Sequence, residues 1–451
     1  MRVIIVGAGD VGYVSAETIA STHDVLVIDN DASKVQAVTN NLNVSVLHED
    51  GSNPRKLKEA IEKHRAEAIV STLKDDAVNL FICTAAKRFD KDILTIASIN
   101  NPDYILDMEG GRSIDADRIM SPEMRTAEKM YKMAVLENAT DYDFVDHLGI
   151  GAAIFSVKLG SNVVGKVVLE LALPPECVIF GIYRGGDLEL DVDMMEIRVG
   201  DSICVAGSEK GLEKFNTFLG VKHKAVEFAI LGGSIVGVNV AKMLIHRSDI
   251  KRLVTIVEHD PDRCRELTKL IPEALVLKED FKDPRVQRNE DLFRADCLIV
   301  TSGSDDTNLL MSMSASKYNS EKVITRYFKP EYKDIFAYTN LDTIAGFYRI
   351  ISNEITKCIL PDEVALMRMR NYSELFFTVD VMKAPNFRNK FFGDIQIVRN
   401  AKVVAIYRNG GIIFPELDTM LLDDDKMVVF TTATNEAELK NTFGKISLPE
   451  L

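Results

Sequence analysis

The sequence predicts an α/β protein of two Rossmann-like, doubly wound domains, each followed by a small α+β C-terminal domain. Three observations lead there: a glycine-rich strand-to-helix turn beginning at Gly7, a second version of that turn beginning at Gly232, and landmarks that recur in the same order after both. The first turn is Gly7-Ala8-Gly9-Asp10-Val11-Gly12. Arg2 to Val6 before it is a β-branched run suited to a buried strand, and Val11 to Ala20 after it places apolar residues at helical spacing. In that context Gly7 permits the tight turn, Gly9 lets the backbone approach a pyrophosphate, and Gly12 lets helix and strand pack closely. The helix start supplies free N–H donors and the positive end of the dipole. A second strand, Val25 to Ile28, ends in Asp29, where a Rossmann fold puts the carboxylate that accepts from ribose hydroxyls. An acid there disfavours a 2′-phosphate, so NAD is expected over NADP.

Composition narrows the class. The chain has 451 residues, 46% hydrophobic and 27% charged, enough for roughly three domains of about 150 residues. No apolar run approaches the ~20 residues of a membrane span, and no signal-peptide pattern precedes the first strand, so a cytoplasmic protein is expected. A formal net charge of −14 without a basic patch argues against nucleic acid. Six scattered cysteines, Cys83, Cys177, Cys204, Cys264, Cys297 and Cys358, form no C-x-x-C pair and are expected to be buried free thiols rather than a disulfide framework or zinc site.

The repeat fixes the domain plan. FAILGGSIVGVNVAKML, VTIVEHDPD, LVLKEDFKDP, LIVTSGSDDTNLL and VITRYFKPEY follow the order of VIIVGAGDVG, VLVIDNDAS, SVLHEDGSNP, AIVSTLKDDAVNL and ILTIASINNPDY. Gly7 with Gly232, Asp29 with Glu258, Asp50 with Asp280, Asn79 with Asn308 and Tyr104 with Tyr332 are all 225 to 230 residues apart. The intervening stretches repeat as well: GSNVVGKVV with VIFGIYRGG answers APNFRNKFF with VVAIYRNGG, pairing Asn162 with Asn386 and Ile182 with Ile406. Short alternating runs punctuated by glycine suit small β-rich modules. The expected domains are 1–140 and 224–370, nucleotide-binding, and 141–223 and 371–451, small and C-terminal. A helical connector begins at Ser121-Pro122-Glu123, an N-cap, a proline at the first helical position and an acid near the dipole. Its Met124, Met130 and Met133 are read as core or subunit-contact residues.

With GAGDVG, VIDND, the D-x-x-N-L-type run Asp76–Leu80, INNPDY and their second set in view, the chain resembles the KTN/RCK regulatory subunits of potassium channels and transporters, in the tandem form of the Trk uptake system. The resemblance covers essentially the whole chain. It implies a cytoplasmic subunit, peripheral on the inner face of the membrane, that docks on a separate potassium transporter or channel subunit and gates it through NAD(H), with ATP or ADP at the same sites. It also implies assembly into a homodimer or homotetramer. The candidate first site comprises Gly7, Ala8, Gly9, Asp10, Val11, Gly12, Asp29, Asn30, Asp50, Gly51, Ser52, Thr72, Leu73, Asn79 and Ser98. The candidate second site comprises Gly232, Gly233, Ser234, Gly237, Glu258, Asp280, Thr301 and Arg326.

Departures from the family pattern make the two sites unequal. Ser234 replaces the middle glycine of the second turn and is expected to crowd a pyrophosphate unless the loop shifts. Where the family has Gly-Asp-Ala-Thr after the third strand, the copies read Glu49-Asp50-Gly51-Ser52 and Glu279-Asp280-Phe281-Lys282. Arg326 stands where the first copy has Ser98, in a place where the family often has an arginine near the nucleotide phosphates. The competing class is an NAD-dependent oxidoreductase, but no His-Asp pair, Tyr-x-x-x-Lys array or cysteine nucleophile stands at a strand end; His48, near the first site, reads as a surface or structural residue. A further alternative is a nucleotide sensor serving a different membrane or soluble partner. The acidic run Asp187–Asp193 alternates at strand period and reads as a solvated face, and Asp423-Asp424-Asp425 as a turn before the last strand.

Overall fold

The computed structural model describes all residues except 102–103, 105–115, 146–148, 221–223, 248–249, 289, 318–319, 330, 338–340, 342, 360–366, 369–373, 385, 433–435 and 444–451. Pro102 and Asp103 of INNPDY and Pro330 of FKPEY thus lie outside the described residues.

The N-terminal section alternates strand and helix: β1 (Arg2–Val6), α1 (Asp10–Ile19), β2 (Asp24–Asp29), α2 (Ala32–Asn41), β3 (Ser45–His48), α3 (Pro54–His64), β4 (Ala68–Ser71), α4 (Asp76–Phe89), β5 (Leu94–Ser98) and β6 (Arg118–Met120). Three helices start where the sequence supplies a cap. Asp31, Asn53 and Asp75 accept from the N–H groups of Ser33, Arg55 and Val78, and Pro54 follows its cap. The strands form one sheet, β3-β2-β1-β4-β5-β6, with every neighbouring pair parallel. That is the doubly wound order, and it reverses between β1 and β4, so the loops after those two strands diverge and leave a crevice. Both sheet faces are buried, as a parallel sheet requires. Val3, Ile5 and Val27 face Ala16 and Ile19, while Ile4, Val6 and Ile28 face Leu57, Ala60, Ile61 and Ile82.

A helix, α5 (Pro122–Val135), leads into β7 (Ala139–Val145), β8 (Ile150–Ser156), β9 (Cys177–Arg184), β10 (Asp187–Glu189), β11 (Ser202–Gly207) and α6 (Glu209–Phe218). These strands pair antiparallel in the order β10-β9-β11-β8-β7. The hydroxyl of Ser121, expected to cap α5, donates instead to the Ile99 carbonyl, and the Ser121 carbonyl accepts the first helical bond from Arg125 at 2.9 Å. Met130 and Met133 are fully buried.

The cycle then repeats with β12 (Glu227–Leu231), α7 (Ile235–His246), β13 (Leu253–Glu258), α8 (Pro261–Leu270), β14 (Leu275–Lys278), α9 (Pro284–Gln287), α10 (Glu290–Phe293), β15 (Cys297–Val300), α11 (Asp305–Lys317), β16 (Val323–Tyr327), α12 (Tyr332–Ala337) and β17 (Thr343–Gly346), in the sheet order β14-β13-β12-β15-β16-β17. It closes with α13 (Phe347–Ile359), β18 (Met367–Arg368), β19 (Leu375–Asp380), β20 (Ala401–Arg408), β21 (Gly411–Ile413), β22 (Lys426–Thr431) and α14 (Glu436–Phe443), whose sheet runs β18-β19-β22-β20-β21.

Two compact units result, and they do not follow the repeat boundaries. The first joins Met1–Thr126 to Gly346–Pro361. Within it α13, which comes after the second parallel sheet, covers the first one: Ile355, Cys358 and Ile359 enter the cluster of Val3, Ile5, Ala16 and Ile19. Arg118 donates to the Cys358 carbonyl at 2.7 Å, Arg125 lies 3.6 Å from Glu354, and the Tyr348 hydroxyl donates to Glu17 on α1. The second unit joins Ala127–Ala345 to Asp362–Leu451. In it the two antiparallel sheets share a core where Phe180, Phe376 and Phe430 meet with ring centroids 4.6 to 5.3 Å apart. A bulge recurs at the same repeat position in both sheets, at Phe180 opposite β11 and at Val404 opposite β22, and sends both side chains into that core.

Each small domain is also pinned by one buried carboxylate. Asp201 receives Arg184 through two bonds of 2.8 and 2.7 Å, and Asp425 receives Arg408 at 2.6 and 2.7 Å, while the N–H groups of Arg198 and Leu422 each donate to the same carboxylates. Asp423 and Asp424 form the expected turn, but Asp425 belongs to this ion pair. Of the acidic run near Asp187, only Asp187–Glu189 is strand, and its carboxylates are exposed.

Removing Asp425 leaves Arg408 and the Leu422 N–H without their acceptor, so Asp425→Ala is expected to destabilise the second unit by about 3 kcal/mol in chemical denaturation. Burial alone would raise the Asp201 carboxyl, but Arg184 and the Arg198 N–H outweigh it and hold it below the ordinary value. Its contribution to stability is therefore complete above the unfolded value near ~3.9 and is lost as pH falls through the lower folded value. Acid unfolding below about pH 4 should flatten in Asp201→Asn.

Candidate functional site

At both parallel sheets the glycine turn connects the first strand to the first helix across the crevice. Gly7 has φ +106° and Gly232 φ +104°, the left-handed region open to glycine. A Cβ on Gly12 would sit 1.9 Å from the Gly7 carbonyl oxygen, and one on Gly237 2.6 Å from that of Gly232, so both helices approach their strands as closely as main chain allows. Thr72 and Thr301, after β4 and β15, hold the turns from the far side. Their hydroxyls donate to the carbonyls of Gly7 and Gly232 at 3.1 and 2.9 Å.

The acid ending the second strand fixes the near side. Asp29, 5% exposed, accepts from the N–H of Ala8 at 2.6 Å and from that of Asp31 at 2.8 Å. Glu258, 8% exposed, accepts from Gly233 at 2.8 Å, His259 at 2.8 Å and Asp260 at 3.0 Å. Burial acts to raise the Glu258 carboxyl, but the three amides, with His259, outweigh it and keep it below the ordinary range. Ala8 and Gly233 differ for a local reason. A Cβ on Gly233 would meet Leu267 Cδ1 at 2.6 Å and Glu258 Oε2 at 3.1 Å, so the longer acid and Leu267 occupy the space that the Ala8 methyl takes in the first copy.

The remaining candidates sort into mouth and wall. Asp10 and Val11 open α1, with Leu73 across the crevice after β4. Asn79 is fully buried behind it, accepting from Ser71 and Leu73 and donating to the carbonyls of Leu73 and Ser98, each at 2.8 Å. It positions the loop and does not face the crevice. Asn308 repeats the pattern, donating to the carbonyls of Ser302 and Arg326 at 3.1 Å. Asp50 is exposed and accepts from Ser52, whereas Gly51 is buried so close to Val6 that a Cβ there would lie 2.4 Å from it. Phe281 fills the second unit's core at that position, and Asp280 accepts from the Lys282 N–H at 2.9 Å. Asn30 is exposed and its carbonyl lies 3.1 Å from His48 Nε2. Arg326, 5% exposed, donates to the Thr301 carbonyl at 3.0 Å and lies over the Phe328 ring at 4.6 Å.

Sequence reasoning missed Arg263, whose Nε donates to the Gly233 carbonyl at 2.7 Å; its signal was a basic residue one turn into the helix after the acid, matched by Lys34 in the first copy. It also gave Asp76 and Asp305 no job. Their carboxylates accept from the main chain just beyond β5 and β16, at Asn100 and Asn101 and at Phe328 and Lys329.

Ser234 differs from the expectation in how it acts. Its backbone (φ −68°, ψ 166°) matches Gly9 (φ −70°, ψ −175°), so the loop has not shifted. Instead its hydroxyl accepts from the Gly237 N–H at 3.2 Å and caps α7, whereas α1 has no side-chain cap and a Cβ on Gly9 would meet nothing within 4 Å.

All six cysteines are buried, and burial pushes Cys83, Cys177, Cys297 and Cys358 up to about 12. Among the described residues no cluster of His, Cys, Asp and Glu is arranged to hold a metal, and no helix is long and apolar enough to cross a membrane.

The fold defines a class: two Rossmann-like domains in one chain, each followed by a small antiparallel domain. Residues 3–122 and 228–346 match the TrkA-N domain, and residues 152–220 and 377–444 the TrkA-C domain. The chain belongs to the TrkA family of tandem TrkA-N and TrkA-C proteins. It is 25% identical to the Trk system potassium uptake protein TrkA homolog 1 of Methanosarcina mazei, over 98% of this chain and 100% of that one. It is also 25% identical to the TrkA homolog of Archaeoglobus fulgidus, over 95% and 97%. Its fold is similar to that of the GsuK RCK domain (TM-score 0.64, 16% identity, 98% and 94% covered) and of the GsuK channel bound to NAD (TM-score 0.63, 16% identity, 98% and 78% covered).

Because Asn79 satisfies buried groups on two strands, Asn79→Leu should cost at least about 2 kcal/mol in denaturation of the first unit. Amide exchange at Leu73 should speed up in the same variant.

Proposed function

We propose that the chain is a nucleotide-sensing regulatory subunit that gates a membrane potassium transporter or channel, binding NAD(H) at the first site, with ATP or ADP competing there. The supporting observation is the uncapped start of α1 beside the open face of Gly9, with a buried carboxylate one strand away. Free helix-terminal N–H groups and the dipole favour a phosphate, and Asp29 keeps lone pairs for ribose hydroxyls beyond the two amides it already accepts. Those residues fit a dinucleotide; when bound, it would serve here as a ligand that changes conformation. The names of the TrkA relatives support the potassium system, and the NAD-bound GsuK channel supports the nucleotide.

The first site has a direct mechanical outlet. Its phosphate turn begins α1, and α13 packs on α1 through Ile355 and Ile359 and through Tyr348 to Glu17. A nucleotide that shifts α1 moves the helix that leads into the last small domain, and ligands with different affinities for the two positions bias the equilibrium. We assign the domains as 1–140, 141–223, 224–370 and 371–451, a homodimer or homotetramer as the working assembly, and the cytoplasmic face of the membrane, through the partner subunit, as its place.

Gly9→Val should abolish NADH binding in calorimetry while circular dichroism stays unchanged, and Asp29→Ala should weaken it by about 10- to 100-fold, the worth of hydrogen bonds to a charged acceptor. Undiminished affinity in Gly9→Val would remove the assignment. Potassium flux through the co-purified membrane subunit should respond to NADH and ATP in opposite senses. Oxidation of NADH with a small carbonyl substrate at about 1 s⁻¹ or faster would return the chain to the oxidoreductases.

A further inference from the structure

The two parallel-sheet domains diverge at the corner where the third strand feeds its crossover helix. In the first copy Asn53 accepts from the Arg55 N–H at 3.0 Å and starts α3, one helix of 11 residues. Lys56 stands in its first turn, with its ammonium 2.8 Å from Glu49 Oε1. In the second copy Asp283 accepts from the Arg285 N–H at 2.8 Å in the same way. The shared cap and the proline after it put Val286 in the place of Lys56, and Glu279 in that of Glu49. Two helices of four residues each, α9 and α10, then replace the single α3.

A cavity of about 360 Å³ opens at this corner. Val257 and Leu277 line it from the sheet, paired in register as Ile28 and Leu47 are in the first copy. Val286 and Leu292 add apolar wall, and Glu279 stands there with Asp283 and Arg285. Asp283 and Arg285 satisfy one another, through bonds of 2.6 and 3.1 Å to Asp283 Oδ2. Glu279 keeps the carboxylate of Glu49 without the lysine that Glu49 holds. The volume falls at the lower end of small-molecule sites, about 300–1,000 Å³. An alkyl chain gains by leaving water for such a wall, and an ammonium at its end gains a charge-assisted hydrogen bond.

We propose that this cavity binds a small aliphatic amine, a primary ammonium on an alkyl chain about as long as a lysine side chain. Its ammonium bonds Glu279, and its chain lies against Val257, Leu277, Val286 and Leu292. The ligand supplies to the second domain from solution what Lys56 supplies to the first from the chain itself. The glycine turns take no part in this site, so it stands or falls apart from the nucleotide reading.

The test is calorimetric titration of the full chain with n-butylammonium chloride, with potassium chloride holding the ionic strength constant. The wild type should bind one n-butylammonium per chain. Glu279→Gln should weaken binding by about tenfold, the worth of a hydrogen bond to a charged group. Val286→Lys should abolish binding, because the new side chain takes the ligand's place as Lys56 does in the first copy. A melting curve matching the wild type establishes that Val286→Lys is folded, and Glu279→Gln, altered at an exposed residue, decides the question if it is not. n-Butanol, which has the chain without the charge, should bind at least about tenfold more weakly than n-butylammonium, for the same lost bond. No saturable binding by about 10 mM, well past a millimolar dissociation constant, overturns the proposal. So does undiminished affinity in Glu279→Gln, or n-butanol binding as tightly as the amine. Tighter binding of N-acetyl-lysine methylamide than of n-butylammonium would mark the cavity as a seat for another protein's lysine and would overturn the free-amine assignment.

Discussion

One buried carboxylate at the end of the second strand holds each nucleotide-type turn in place. Asp29 and Glu258 accept the N–H that follows the left-handed glycine, and the same carboxylates accept from the turn after their own strand. The bond ties two loops from adjacent parallel strands to one point. Because the carboxylate is already ordered, the nucleotide proposed above would meet an acceptor whose position has been fixed by folding, and its binding would not have to supply that order.

Duplication left two versions of this device, and their differences are correlated. Lengthening the acid from Asp29 to Glu258 goes with loss of the Ala8 methyl at Gly233 and with Leu267 moving into the vacated space. Replacing Gly51 by Phe281 goes with a core that uses the ring. Each exchange keeps packing and main-chain hydrogen bonding intact, so the second domain keeps its fold.

Much of the fold was legible because it rests on local signals: β-branched runs, helical spacing, capping residues before Ser33 and Arg55, and glycines whose conformation no other residue adopts easily. What escaped depends on distant register. Asp425 reads as the end of an acidic turn because its neighbours are acidic, and only the pairing of β20 with β22 brings Arg408 to it. Ser234 reads as an obstruction because sequence shows its bulk and not the direction its hydroxyl takes. The resting place of α13 was likewise hidden, since periodicity shows that a helix has buried faces without saying which sheet buries them.

That last feature has a bearing on biosynthesis. The first parallel sheet is complete once residue 126 has been made, but the apolar face that Ile355, Cys358 and Ile359 cover waits until the ribosome has passed the second parallel sheet. At about 5–20 residues per second that interval is tens of seconds. During it the nascent chain carries an unfinished hydrophobic surface beside α1, a natural target for chaperone binding. A transcript truncated between the repeats would therefore yield a sheet that has lost its cover, which makes the first repeat dependent on the second for solubility.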